Sequence, residues 1–199
     1  MAAMEFFNGE SLSSLIEAAE YDAGCLVGKP INQMLLEELR KPAPKFLWKR
    51  IWVEGEVICL FADTNVGKSI LAIQVADEIA RAQEKPVIYV DCELSGRQFA
   101  QRYSWEQQPH QFTENFIRVC PKPDVEITEE RIISSIESYI ALSSPRAVII
   151  DNLTWVCANS ERGAAEAAVM MKLMALKRKY GVSLMIIAHT PKRDESQPR

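Results

Sequence analysis

Gly67-Lys68-Ser69 places side by side a permissive backbone, a cation and a hydroxyl, the three things a phosphate group can use. They sit within Glu56-Val-Ile-Cys-Leu-Phe-Ala-Asp-Thr-Asn-Val-Gly-Lys-Ser-Ile-Leu-Ala72, which reads as an apolar strand, a small polar loop and an amphipathic helix. In that order Asp63, Thr64, Asn65, Val66, Gly67, Lys68, Ser69 and Ile70 form a cradle for a triphosphate. Loop N–H groups and the positive end of the helix wrap the phosphates, Lys68 reaches the β and γ groups, and Ser69 Oγ binds magnesium. The tripeptide alone is a weak signal, and its place between strand and helix makes it specific. The leading glycine of the usual pattern is Ala62 here, and alanine resists positive φ.

Three further strands end in polar groups. Arg146-Ala-Val-Ile-Ile-Asp151 presents a carboxylate suited to orienting magnesium, directly or through water, at the edge where open α/β sheets bind ligands; capping the next segment is its structural alternative. Val87-Ile-Tyr-Val-Asp91 leads into Cys92-Glu93, and Glu93 is the candidate general base, with Asp91 as competitor. A purely structural Glu93 would pair with Arg97. Leu184-Met-Ile-Ile-Ala-His189 ends in one of two histidines, which either senses the γ-phosphate or is a satisfied ring near the sheet. Lys192 and Arg193 follow and could face phosphates, a neighbouring subunit or solvent. His110, in a Gln/Pro-rich stretch, reads as a loop residue.

These groups need a scaffold of alternating strands and helices. Strands are expected at Val57–Phe61, Val87–Asp91, Phe116–Cys120, Ala147–Asp151 and Leu184–Ala188. Apolar spacings of three and four predict helices at Ser69–Gln83, Gly96–Trp105, Glu129–Leu142 and Ala164–Tyr180. This is the pattern of an α/β fold with a mostly parallel sheet flanked by helices. Residues 1–45 read separately as a helical N-terminal extension, with helices at Ser11–Glu20 and Ile31–Arg40 and a turn at Gly24–Pro30. Residues 46–199 are the core. Trp48 and Trp52 flank Lys49-Arg50 and either stack on a base or pack the extension onto the sheet.

At 199 residues, 48% hydrophobic and 25% charged, the chain suits one globular domain. Its net charge of −4 makes any DNA contact local. Five cysteines without C-x-x-C spacing, four of them in or beside apolar segments, suit buried, reduced thiols and a cytoplasmic setting. No uncharged apolar run approaches membrane-spanning length, so no membrane partner is expected.

Taken together, Ala62-Asp-Thr-Asn-Val-Gly-Lys-Ser69, Val90-Asp-Cys-Glu93, Val148-Ile-Ile-Asp-Asn152 and Ile187-Ala-His-Thr-Pro-Lys-Arg193 resemble the RecA-like P-loop ATPases. The resemblance spans about residues 46–193 and leans to the RepA-type hexameric helicases and relatives near RadA. It implies a RecA-like core in which Lys68, Ser69, Glu93, Asp151 and His189 take the roles assigned above, with ATP and Mg2+ bound. It also implies hydrolysis coupled to DNA in a ring of subunits, possibly a hexamer, each site completed by a neighbour's arginine. The chain stops where members usually continue, and Arg193 is the only substitute for that arginine in view. Two rivals stand beside this reading. One is an assembly switch with incidental hydrolysis; the other is a small-molecule kinase, for which Arg97 and Arg102 are too few.

Overall fold

A computed structural model describes residues 21–82, 84–153 and 164–189. The backbone contacts divide the chain into Met1–Pro44 and Lys45–Arg199. In the first unit, strands β1 (Tyr21–Ala23) and β2 (Leu26–Gly28) form an antiparallel hairpin, followed by helix α1 (Ile31–Leu39). The turn expected at Gly24–Pro30 is therefore the tip of a hairpin. Two residues make the reversal, and Gly24 supplies the positive φ that such tight turns require. The expected helix Ser11–Glu20 lies outside the described residues.

The second unit opens with a small hairpin, β3 (Phe46–Trp48) and β4 (Trp52–Val53), and continues as β5 (Val57–Ala62), α2 (Lys68–Ala82), β6 (Val87–Asp91) and α3 (Gly96–Arg102). A second small hairpin, β7 (Ser104–Trp105) and β8 (Gln108–Pro109), is followed by β9 (Phe116–Val119), α4 (Glu129–Ser143), β10 (Ala147–Asp151), α5 (Ala164–Tyr180) and β11 (Ser183–His189). Five strands form one sheet in the order β5-β11-β10-β6-β9, and every pairing in it is parallel.

The sheet lies between two helical layers, and strand alternation decides which residue faces which. Val87, Tyr89, Ala147, Ile149, Met185 and Ile187 pack with Ala72, Ile73, Val75, Ala76 and Ile79 of α2. Their neighbours Ile88, Val90, Val148, Ile150, Leu184 and Ile186 pack against Ile132, Ile136 and Ile140 of α4 and Val169, Leu173 and Leu176 of α5. β6 and β10 are buried throughout, which is why they read as unbroken apolar runs. On α5, Leu173 is buried, while Met170 and Met174 are half-buried.

Local chemistry sets the ends of the elements. Thr128 caps α4 by accepting from Arg131 N, Glu129 and Glu130 occupy its positive first turn, and Ser144 closes it in the left-handed conformation. α3 begins in a capping box between Ser95 and Gln98. It ends at Arg102 rather than Trp105, because the chain turns into the β7–β8 hairpin there. Trp52 is fully buried and donates to Glu56 O at 2.9 Å, and Trp48 donates to Glu78 on α2 at 2.7 Å. Both indoles thus serve packing. The expectation of buried thiols holds for Cys92; Cys25, Cys59 and Cys120 are exposed, and Cys157 lies outside the described residues. Cys59 and Phe61 share the face of β5 turned away from α2, and among the described residues β5 pairs on one side alone.

Candidate functional site

Parity brings the polar strand ends together. Counting alternately along β6, β10 and β11, the residues on the α2 face end in Asp91, Asp151 and His189. The register then sets their heights: Asp151 stands opposite Asp91 on one side and Ile187 on the other, and His189 stands opposite Ala62, the last residue of β5. The loop 63–67 leaves Ala62 and enters α2, so the expected cradle, His189 and the two aspartates line one edge on one face.

Within the loop, Asp63, Thr64, Asn65, Val66 and Gly67 are exposed, as is Ile70, whereas Ser69 is half-buried on the first turn of α2. The left-handed positions are Asn65 (φ 63°) and Gly67 (φ 90°), not Ala62, which is ordinary strand. This explains how the loop forms without a leading glycine: the reversal is made further along, by a glycine and by an asparagine, the residue type that best tolerates that region. Lys68 is buried, and its ammonium donates to Ala62 O at 2.7 Å and Asp63 O at 2.6 Å, so the cation sits at the base of the loop.

Asp151 is 3% exposed. Its Oδ2 accepts from Tyr89 OH, while its Oδ1 is buried with no hydrogen-bond partner. A buried carboxylate oxygen left open is costly unless a cation or donor uses it, and it fits a hard cation such as magnesium. Among the described residues no cluster of three His, Cys, Asp or Glu side chains forms a complete metal cage. Burial, and then the Asp151 charge, push the Tyr89 phenol far above its ordinary range, so it stays a donor.

Asp91 and Glu93, the two candidates for the base, differ in their surroundings. Asp91 is 2% exposed; its Oδ1 accepts from Glu93 N (3.0 Å) and Leu94 N (2.9 Å), and its Oδ2 accepts from Arg118 Nε (2.8 Å). Both of its oxygens are engaged within the fold. The Glu93 side chain is 47% exposed and forms no ion pair with Arg97; the His189 ring is near it, with Oε1 3.9 Å from Nε2. His189 Nε2 also lies 3.0 Å from Asn152 Nδ2, and its Nδ1 is buried without a partner. With the amide donating, His189 carries its proton on Nδ1.

Lys68, Ser69, Asp151, His189 and Glu93 are therefore all placed at the same sheet edge. Lys192 and Arg193 lie outside the described residues. His110 packs its ring on Phe112, 4.5 Å between centroids. Sequence reasoning missed Tyr89, Asn152 and Arg118. Arg118 had a signal: it is the one charge in Phe116-Ile-Arg-Val119, and a cation inside a strand of a packed sheet must find a partner. A cavity of about 630 Å³ lies elsewhere, between β6, β9 and α4, and is lined by none of the predicted site residues.

This fold, with a phosphate-loop strand, a carboxylate strand two places away and a polar strand end between them, is that of a RecA-like P-loop ATPase domain. Residues 31–195 match the AAA domain, and the chain belongs to that family. It is similar to the DNA repair protein RadA of Chlamydia trachomatis, 23% identical over 196 residues, covering 94% of this chain and 40% of that one. The chain thus spans about two fifths of the length of that relative. A KaiC-like protein from the archaeon Pyrococcus horikoshii shares the fold, with a TM-score of 0.56 and 17% identity over 71% of this chain and 64% of that one.

Proposed function

We propose that residues 46–199, behind an N-terminal extension over 1–45, form a cytoplasmic ATP-hydrolysing motor domain that works in a ring on DNA, in a helicase-like replication, repair or mobile-element transaction. The observation that carries the hydrolytic part is the convergence of Lys68, Asp151, Glu93 and His189 on one face at one sheet edge. DNA coupling is supported by the similarity to a DNA repair protein.

In this reading residues 63–70 bind the triphosphate, and Lys68 exchanges the carbonyls of Ala62 and Asp63 for phosphate oxygens. Ser69 Oγ and Asp151 Oδ1 would hold magnesium, which neutralises phosphate charge when bound. Tyr89 fixes the Asp151 carboxylate so that Oδ1 faces the site. Glu93, with its carboxylate free of the fold's hydrogen bonds, takes the proton of the attacking water. His189 stands between Ala62 and Glu93 and reports the γ-phosphate to Asn152 and the following chain. The catalytic power is positioning and charge neutralisation.

Steady-state ATP turnover, with and without single-stranded DNA across protein concentrations, tests this. Stimulation by DNA that rises with protein concentration, and is lost in Lys68→Ala, is the expected result. Nucleotide binding with no DNA response under any condition would instead favour an assembly switch.

A further inference from the structure

We infer that Arg118 is a positioning residue that sets the place of the Glu93 carboxylate; this rests on Glu93 acting as the base in the reading above. Arg118 comes from β9, beside Tyr89 in register, and reaches across the end of β6. Its guanidinium makes contact at four points: Nε donates to Asp91 Oδ2, Nη2 donates to Leu94 O, Cζ lies over the Phe99 ring 4.6 Å from its centroid, and Nη1 is 3.9 Å from Cys120 Sγ.

The contact with Asp91 matters most. The same carboxylate, through its other oxygen, holds the amides of Glu93 and Leu94. Arg118 therefore grips both the carboxylate that shapes the turn and the carbonyl that ends it. Cys92 N is tied to Asp151 O at 2.7 Å, and Ser95 opens the α3 capping box. Residues 92–95 are thus fixed at both ends and pinned in the middle, while the one side chain in the turn that reaches toward His189 is free of structural bonds. A rigid backbone under an uncommitted acid is the arrangement expected where a group must be held for chemistry.

Arg118→Lys keeps the charge beside buried Asp91, but an ammonium cannot reproduce the forked contact with Asp91 and Leu94 or the guanidinium's contact with the Phe99 ring. On the full chain, Arg118→Lys is expected to lower kcat for ATP by about 10- to 100-fold. Affinity for a fluorescent ATP analogue should stay within about twofold, since the phosphate loop is untouched. In single-turnover assays, adding Arg118→Lys to Glu93→Gln should cause no further loss, because a group acting through Glu93 has nothing left to act on. Full additivity of the two losses, or an unchanged kcat in Arg118→Lys while Glu93→Gln is inactive, would overturn the inference and leave the function standing. An active Glu93→Gln would sink the base assignment and this inference with it. Should Arg118→Lys fold poorly by thermal melting, Phe99→Leu keeps an apolar side chain against Tyr103 and Phe112 while removing the ring beside the guanidinium: a fall in kcat at constant nucleotide affinity and unchanged melting temperature supports the inference, and an unchanged kcat overturns it.

Discussion

The site joins residues of two kinds: those whose type and position in sequence announce their chemistry, and those that matter for what they hold. Lys68 and Asp151 are of the first kind, legible because a strand, a loop and a helix surround the one and an apolar run precedes the other. Tyr89 and Arg118 are of the second, and their partners, Asp151 and Asp91, lie 62 and 27 residues away in sequence. Asp151→Asn should lower turnover by at least about 100-fold and abolish the gain in nucleotide affinity that magnesium gives, measured by titration with and without the metal. The cysteines offer a second check. Burial, with Asp91 and Asp151 behind it, pushes the Cys92 thiol up to about 12, while Cys120 at the neighbouring strand end is exposed. Alkylation at pH 8 followed by peptide mass mapping should label Cys120 well before Cys92, because the thiolate is the reactive form.

At the scale of elements, β6, β10 and α5 start and stop where composition and periodicity predict, because a buried strand and a long helix each impose one rule on every residue. The hairpins β3–β4 and β7–β8 were not legible; with strands of two or three residues they have no period, and tertiary packing specifies them. The Trp48 indole links the first hairpin to α2 through Glu78, and this hydrogen bond is the main cause of a Glu78 carboxyl held below its usual 4.5. A depressed folded-state value means that the link stabilises the fold above the unfolded value and is lost as pH falls through the folded one. Urea unfolding of the wild type and Trp48→Phe should therefore show a stability gap at pH 7 that narrows at pH 3, leaving only the difference in packing. A gap that stays constant would show that the hydrogen bond contributes nothing.

Across the whole molecule, the order β5-β11-β10-β6-β9 could not be read from local patterns, since strand order follows from which crossovers let helices cover both faces. It decides how stability is distributed. β10 and β11 are flanked on both sides and almost wholly buried, whereas β5, which carries the phosphate loop, has Phe61 66% exposed. Hydrogen exchange should find the amides of β10 and β11 protected far longer than those of β5, leaving the nucleotide loop on the softer margin of a rigid sheet. Equal protection across these strands would contradict that gradient.

The facing positions of Asp151 and Asp91 also make the sheet a gauge. Each strand residue advances about 3.3 Å and reverses the side chain's face. One residue inserted within β10 would carry Asp151 to the α4–α5 layer and out of reach of Tyr89, although the composition would hardly change. The same insertion in the turn at 144–146 would leave the strand's phase intact. The chain can thus vary in length beneath the sheet and vary in residue type within it, but the count of residues inside each strand is part of the chemistry.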